Sequence, residues 1–374
     1  MSPLRVGIVG AGNISAIYCE NLSKFPSIDL VAISDLDEPR AQTQAEKYDI
    51  EARSVDALLG ASDIDLVLNI TIPKAHGEVA LAALSAGKHV YNEKPLAIHR
   101  DVCEQMLAVA GQKGLRVGCA PDTFLGAGHQ RVRKLIDDGA IGVPVAVHGF
   151  MTSRGVESWH PNPEFFYKPG AGPMLDMGPY YLTAFVNMFG AISRLASVTR
   201  TTFPERTITS EPHKGEVIKV ETPTTFVAAM QFASGVVGQL TTSFDTHSFP
   251  GQPNIVVYGS EGTMIVPDPN SFNGWNEPSS KITIRRGNGD EEIYISEQPF
   301  KMNSRGLGIL DIAHAISEDR PHRASGALAF HVLDVMLSAI ESSDEGQFIN
   351  PRTQPDRPTL IGDTEFPEER DLMG

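Results

Sequence analysis

Near the start of the chain, the run Gly7-Ile8-Val9-Gly10-Ala11-Gly12-Asn13-Ile14-Ser15 joins an apolar strand pattern, Arg5–Gly10, directly to a helix-period segment, Ile14–Lys24. This junction restricts the fold more than any other feature of the sequence. A strand that enters a helix within so few residues needs glycine at the bend, here Gly10. The second glycine, Gly12, leaves the start of the helix bare, so an anionic group can reach backbone N–H groups that carry partial positive charge. Asn13 and Ile14 open the helix, and the small Ser15 lets it pack on the strand. The junction therefore has the form of a dinucleotide pyrophosphate site.

Asp35 ends the second strand pattern, Val31-Ala32-Ile33-Ser34-Asp35, twenty positions after Ser15. A carboxylate at that place accepts hydrogen bonds from both adenosine ribose hydroxyls and repels a 2′-phosphate. Leu36 follows it, with no arginine or lysine beside it. The spacing predicts NAD as the cofactor, with NADP disfavoured.

Further strand patterns at Leu30–Ser34, Leu66–Ile70, His89–Asn92 and Arg116–Cys119 alternate with helical segments at Arg40–Tyr48, Val55–Leu59, Glu78–Ala86 and Arg100–Gln112. The alternation predicts right-handed crossovers and a parallel sheet, covered on both faces because its strands are almost wholly apolar. After about residue 145 the strand patterns Val143–Phe150, Thr225–Phe232, Val236–Phe244, Ile255–Gly259, Thr263–Val266, Lys281–Arg285 and Glu292–Ile295 are separated mainly by turn residues. They predict a large, mostly antiparallel sheet. Helices are expected at Gly128–Asp138, Met174–Met188, Leu307–Ser317 and Ala327–Ile340.

A chain of 374 residues exceeds what one core usually serves. Two domains are expected, 1–122 and 123–350, with 351–374 an extended, proline- and charge-rich tail. The balance of 31 basic against 46 acidic residues, a formal charge of −15, argues against a nucleic-acid or anionic-membrane partner. No run approaches the apolar length of a membrane span, and no leader pattern opens the chain. Cys19, Cys103 and Cys119 are scattered, without metal-ligand spacing, so a reducing, cytoplasmic setting is expected and no metal.

Two more constellations carry chemistry. Tyr91-Asn92-Glu93-Lys94-Pro95 closes the strand pattern His89–Asn92, and ligands of such sheets sit beyond the carboxyl ends of the strands. Lys94 is thereby placed where a nicotinamide would lie. In Gly170-Ala171-Gly172-Pro173-Met174-Leu175-Asp176-Met177-Gly178-Pro179-Tyr180, Asp176 and Tyr180 are four apart and share one face of a helical turn. Pro179 predicts a kink there, or a helix that begins at that proline.

These elements, in this order, resemble the glucose–fructose oxidoreductase, inositol dehydrogenase and MocA family of NAD(P)-dependent dehydrogenases. The resemblance spans roughly residues 4–345 and includes Thr71…His76, Ala86-Gly87-Lys88-His89-Val90, Glu93-Lys94-Pro95, Gly139-Ala140-Ile141-Gly142, the Asp176–Tyr180 segment and Tyr258-Gly259-Ser260-Glu261-Gly262-Thr263. It implies an α/β chain: an N-terminal Rossmann domain and a C-terminal α/β domain whose open sheet forms a homodimer or homotetramer. It also implies Thr71, His76 and Glu93 on the cofactor side and Lys94 against nicotinamide and substrate hydroxyl. Asp176 becomes the substrate-orienting aspartate. Many relatives have histidine at the third catalytic position, where this chain has Tyr180.

The implied reaction is hydride transfer between NAD and a secondary hydroxyl of a sugar, glycoside or cyclitol. A free phenol has a pKa of about 10, so Tyr180 would need a nearby cation such as Lys94 to serve as acid/base. A neutral Lys94 as base stays open. His160, in Ser158-Trp159-His160-Pro161-Asn162, and Asp122, after the last parallel strand, are further substrate candidates, and His160 is also a rival proton acceptor. A redox-neutral glycoside-cleaving enzyme and a catalytically silent NAD-binding regulator are the alternatives.

Overall fold

A computed structural model describes residues 2–276, 280–370 and 372. The chain forms two compact units: Met1–Gln130 with Glu297–Phe330 and Pro358–Gly374, and Arg131–Ser296 with His331–Arg357.

Among the described residues, the first unit holds six strands in the order β3-β2-β1-β4-β5-β6, all parallel. They are β1 (Leu4–Val9), β2 (Ile28–Ser34), β3 (Glu51–Ala52), β4 (Leu66–Asn69), β5 (His89–Asn92) and β6 (Val117–Cys119). The order reverses between β1 and β4, the switch point where ligands of this architecture bind. Helices α1 (Ser15–Leu22), α2 (Glu38–Tyr48), α3 (Val55–Gly60), α4 (His76–Ser85) and α5 (Arg100–Lys113) are the crossovers. Their ends obey local chemistry: Asp37 caps α2 by accepting from Arg40 N, Ser54 caps α3, and Gly114 closes α5 in the left-handed region. The two-residue β3 is too short to show a period in the sequence.

The returning segments complete this unit. Helix α6 (Ala127–Asp137) follows β6 in the chain; helix α8 (Leu307–Ser317) is buried over almost its whole length, and Ser325 bridges to Gly118 on β6. The tail expected to be extended is anchored. Arg323, itself buried on Asp311, donates to the carbonyls of Thr359 (3.0 Å) and Leu360 (2.9 Å) and to Glu365, while Phe366 and Glu369 are buried. Isolated side-chain anchors leave no periodicity, which is why the sequence pattern showed only an extended tail. The first unit is thus discontinuous in sequence, unlike the contiguous 1–122 expected.

Among the described residues of the second unit, eight strands run β16-β15-β14-β13-β7-β12-β11-β8. They are β7 (Pro144–Thr152), β8 (Ile192–Arg200), β11 (Thr225–Phe232), β12 (Val237–Ser243), β13 (Ile255–Gly259), β14 (Thr263–Val266), β15 (Ile282–Arg285) and β16 (Glu291–Tyr294). Among the described residues only the β7–β12 pair is parallel. Helix α7 (Pro173–Phe189) packs on one face, and a short hairpin of β9 (Glu205–Thr207) and β10 (Val217–Lys219) stands apart. The edge strand β8 escaped the sequence reading. Its apolar residues Ile192, Leu195 and Val198 are three apart, a helical spacing, and a register shift opposite Gln231 and Phe232 accommodates them.

Candidate active site

The glycine junction is built as its residues require. Gly10 has φ +110°, and a Cβ there would lie 2.8 Å from the Ile70 carbonyl oxygen, so neither the conformation nor the space admits a side chain. Gly12 is the opposite case. Nothing lies within 4 Å of where its Cβ would be, an open space above the start of α1. Ser15 is buried and returns its hydroxyl to the Gly12 carbonyl at 2.7 Å, while Asn13 is exposed. The cradle fits a pyrophosphate.

Asp35 stands beside it. One carboxylate oxygen accepts from Ala11 N at 2.6 Å and the other from Asp37 N at 2.9 Å. Each oxygen retains a further lone-pair site. Leu36 next to it is 94% exposed and brings no cation.

The carboxyl ends of β4 and β5 are tied by two asparagines that the sequence did not single out, with Thr71, expected on the cofactor side, bound to one of them. Asn69 and Asn92, both fully buried, share a hydrogen bond of 3.1 Å, and Thr71 donates to Asn69 Oδ1 at 2.7 Å. His76, expected at the cofactor, has no surface for one: it is 0% exposed and both ring nitrogens face backbone carbonyls. Glu93 is likewise engaged inward, accepting from Tyr18 Oη at 2.8 Å and from Lys94 N at 2.9 Å. Burial, then the Glu93 charge, pushes the Tyr18 phenol well above its ordinary range. Lys94 itself is half-buried.

Asp122, expected to bind substrate, has another task. It is 1% exposed, and its Oδ2 accepts from Gly306 N (2.9 Å) and Gly308 N (3.0 Å), capping the start of α8. Burial raises its pKa to about 6 against the partial compensation of those N–H groups. Position after a strand pointed to the ligand side, but the helix that claims the carboxylate arrives from almost two hundred residues later in the chain.

In the second unit Gly172, at φ +91° and with a Cβ position 2.9 Å from the Pro223 carbonyl oxygen, admits the chain into α7. Pro173 opens the helix, and Pro179 lies within it without ending it, so the helix does not begin at Pro179. Asp176 is half-buried in the first turn and Tyr180 is 8% exposed one turn on. Met177 and Tyr181, the next residues along the same helix, line a cavity of about 190 Å³ with Met151, Phe249, Gln252 and Asn254.

The His160 segment rests on a small core of its own, formed by Val156, Tyr167, Ile208, Ile218, Val220 and Phe244. Arg206, missed in the sequence because a lone hairpin arginine resembles a surface charge, is 6% exposed and clamps this core. It donates to Glu157 (2.7 Å), to the Phe244 and Arg154 carbonyls and to Asp245. His160 packs against Phe165 and Phe166, and its Nδ1 accepts from Asn162 N at 3.0 Å. A neutral ring then carries its proton on Nε2, which suits it to donate to a ligand oxygen. Among the described residues no group of three His, Cys, Asp or Glu is placed to hold a metal ion.

Residues 4–120 match an oxidoreductase family with the NAD-binding Rossmann fold, and residues 129–265 match the GFO/IDH/MocA C-terminal domain. The chain is 32% identical over 170 residues to an inositol 2-dehydrogenase of Salmonella paratyphi B, covering 44% of this chain and 51% of that protein. It thus spans about half the length of that relative. It is 26% identical over 299 residues to the 1,5-anhydro-D-fructose reductase of Ensifer adhaerens, covering 77% and 82% of the two chains. In fold it is similar to levoglucosan dehydrogenase, solved in complex with NADH and L-sorbose, with a TM-score of 0.78 at 19% identity over 94% of this chain and 99% of that one. With consecutive family matches over residues 4–120 and 129–265, the chain belongs to the GFO/IDH/MocA family of oxidoreductases.

Proposed function

We propose that the chain is an NAD-dependent dehydrogenase that moves a hydride between nicotinamide and a secondary hydroxyl of a sugar, glycoside or cyclitol. The observation that carries this reading is the open cradle at Gly12 beside Asp35, with Lys94 at the end of β5 in the same unit. The similarity to an inositol dehydrogenase and an anhydrofructose reductase supports the substrate class.

The N–H groups at the start of α1 hold the pyrophosphate, and the remaining lone pairs of Asp35 take the adenosine ribose hydroxyls. Leu36 brings no cation and the Asp35 carboxylate repels a 2′-phosphate, which favours NAD. When bound, the nicotinamide accepts or returns the hydride. The rest falls to side chains. The Lys94 ammonium stabilises the alkoxide as the substrate O–H is lost. Tyr180, entering the step as its phenolate, takes the proton, and Asp176 orients the sugar through an adjacent hydroxyl. The Nε2–H of His160 donates to another hydroxyl, and Trp159 beside it, 65% exposed, offers a ring face to the sugar.

Exposed valines on the outer face of the second sheet, Val198, Val227 and Val237, support a homo-oligomer. A cytoplasmic setting is supported by three cysteines that are all buried as free thiols. No helix among the described residues is long and apolar enough to cross a membrane.

The test is a panel of hexoses, glycosides and inositols with NAD, followed by the absorbance of reduced nicotinamide. Accumulation of NADH with one or more of them is expected. Glycoside cleavage without net NADH, or NAD binding with no turnover anywhere in the panel, overturns the dehydrogenase reading.

A further inference from the structure

Behind the loop that carries Lys94 lies a closed set of buried polar side chains with no part in the chemistry above. Asn69 ends β4, Asn92 ends β5 and His76 opens α4, and all three are 0% exposed. Asn69 Nδ2 donates to Asn92 Oδ1 (3.1 Å) and to the His76 carbonyl (3.0 Å), and Asn92 Nδ2 donates to the Leu96 carbonyl (2.9 Å). The His76 ring sits between two backbone carbonyls. Its Nδ1 is 2.7 Å from Pro95 O and its Nε2 is 3.0 Å from Thr71 O. One ring thereby joins the loop after β4 to the residue that follows Lys94.

A neutral imidazole has one N–H and one lone pair, so it satisfies one of two carbonyls and turns a lone pair toward the other. The imidazolium donates to both. We propose that His76 is the positioning residue for Lys94: Nδ1–H holds the Pro95 carbonyl, and protonation at Nε2 adds the tie to Thr71. This rests on Lys94 acting in the dehydrogenase reaction proposed above.

The charges acting on the ring oppose each other. Burial, the largest influence, pushes the His76 pKa down; the two carbonyls and the Glu93 carboxylate push it up, and the Lys94 ammonium pushes it down. The second tie is therefore made as pH falls and lost as pH rises. Lys94 is held from both loops only in the protonated state.

Two variants and one spectroscopic measurement test this. His76→Phe keeps the ring and removes both donors. Turnover should fall about 10- to 100-fold, the scale on which small misplacements of a reacting group act, with substrate KM little changed. His76→Gln has two amide N–H donors and no ionisation. It should recover turnover, and the ratio of wild-type to His76→Gln turnover should fall as pH rises, since ionisations common to both cancel. A folded His76→Phe enzyme with wild-type turnover, or a ratio flat with pH, overturns the proposal. Ring nitrogen resonances of 15N-histidine-labelled protein read the clamp without any turnover. Two N–H signals for His76 at low pH giving way to one at high pH are expected. A single Nδ1–H at every pH overturns the clamp, whether or not any polyol is oxidised; absence of oxidation with the clamp intact counts only against the dehydrogenase reading.

Discussion

The Asp35 carboxylate accepts a hydrogen bond of 2.6 Å from the backbone N–H of Ala11, so the residue expected to select the cofactor is locked to the glycine turn expected to hold it. The second oxygen accepts from Asp37 N, which fixes the plane of the carboxylate. Replacing Asp35 by Ser and Leu36 by Arg should therefore shift preference from NAD toward NADP, seen as a reversal in the ratio of kcat/KM for the two cofactors. A wild-type enzyme that already prefers NADP contradicts this assignment of Asp35.

The two glycines of the turn should separate binding from folding. Gly12→Val places its side chain in open space, so the melting temperature should hold while NAD affinity collapses in a calorimetric titration. Gly10→Ala should do the reverse. It must adopt φ near +110° with its methyl 2.8 Å from the Ile70 carbonyl oxygen, and a loss of roughly 2 kcal/mol or more is expected. Undiminished NAD affinity in Gly12→Val moves the cofactor elsewhere.

Two buried groups should give opposing pH dependences of stability. His331, 0% exposed, accepts from Ile192 N at 3.0 Å through Nε2, and burial lowers its pKa from 6.5 to about 4. The unfolded chain binds the proton first, so this stability is complete above pH 6.5 and drains as pH falls toward 4, by about 3 kcal/mol in all. Asp122 runs the other way. Its carboxyl, raised from 3.8 to about 6, is protonated first in the folded state, so its contribution declines as pH rises through that window. His331→Gln should flatten the acid loss in a series of urea melts, and Asp122→Asn, which can still cap α8, should steepen it. Identical pH profiles for all three proteins exclude both assignments.

Much of this was legible from local chemistry. The glycine turn, Asp35, Lys94 and the Asp176–Tyr180 face are short-range patterns: a bend, a strand end, a helical period. What escaped notice depends on partners distant in sequence. Asp122 reads as a ligand residue until α8 returns to claim it, and the tail reads as merely extended until Arg323 binds it. His76 was legible as a position but not as a bridge, because its partners are backbone carbonyls that any sequence supplies. Arg206 shows no local sign of the core it closes.

Loss of the lysine charge should be felt in chemistry more than in binding. Lys94→Ala and Asp176→Ala should each cost at least about 10² in turnover, the low end for positioned acid–base groups, with NAD affinity changed far less. Stopped-flow hydride transfer separates this from slow product release. A Lys94→Ala enzyme with a near-normal rate of hydride transfer relocates the active site.

Tyr180 is the residue most in need of a direct test. It is 8% exposed on α7, one turn beyond Asp176, in a helix that Pro179 does not break. Tyr180→Phe keeps the ring and removes only the hydroxyl, so packing should survive and any loss reports on chemistry. Turnover should fall roughly 10²- to 10⁴-fold, the usual contribution of a positioned acid or base, and the basic limb of the pH–rate profile should change with it. His160 is the rival. Its Nδ1 is already engaged as an acceptor from Asn162 N, so a neutral ring presents Nε2–H and cannot take a proton there. His160→Ala should therefore weaken substrate binding, raising KM, while leaving the pH profile of kcat in place. The opposite pattern, with Tyr180→Phe near full activity and a folded His160→Ala inactive, would assign the proton to the histidine and leave the tyrosine a packing residue.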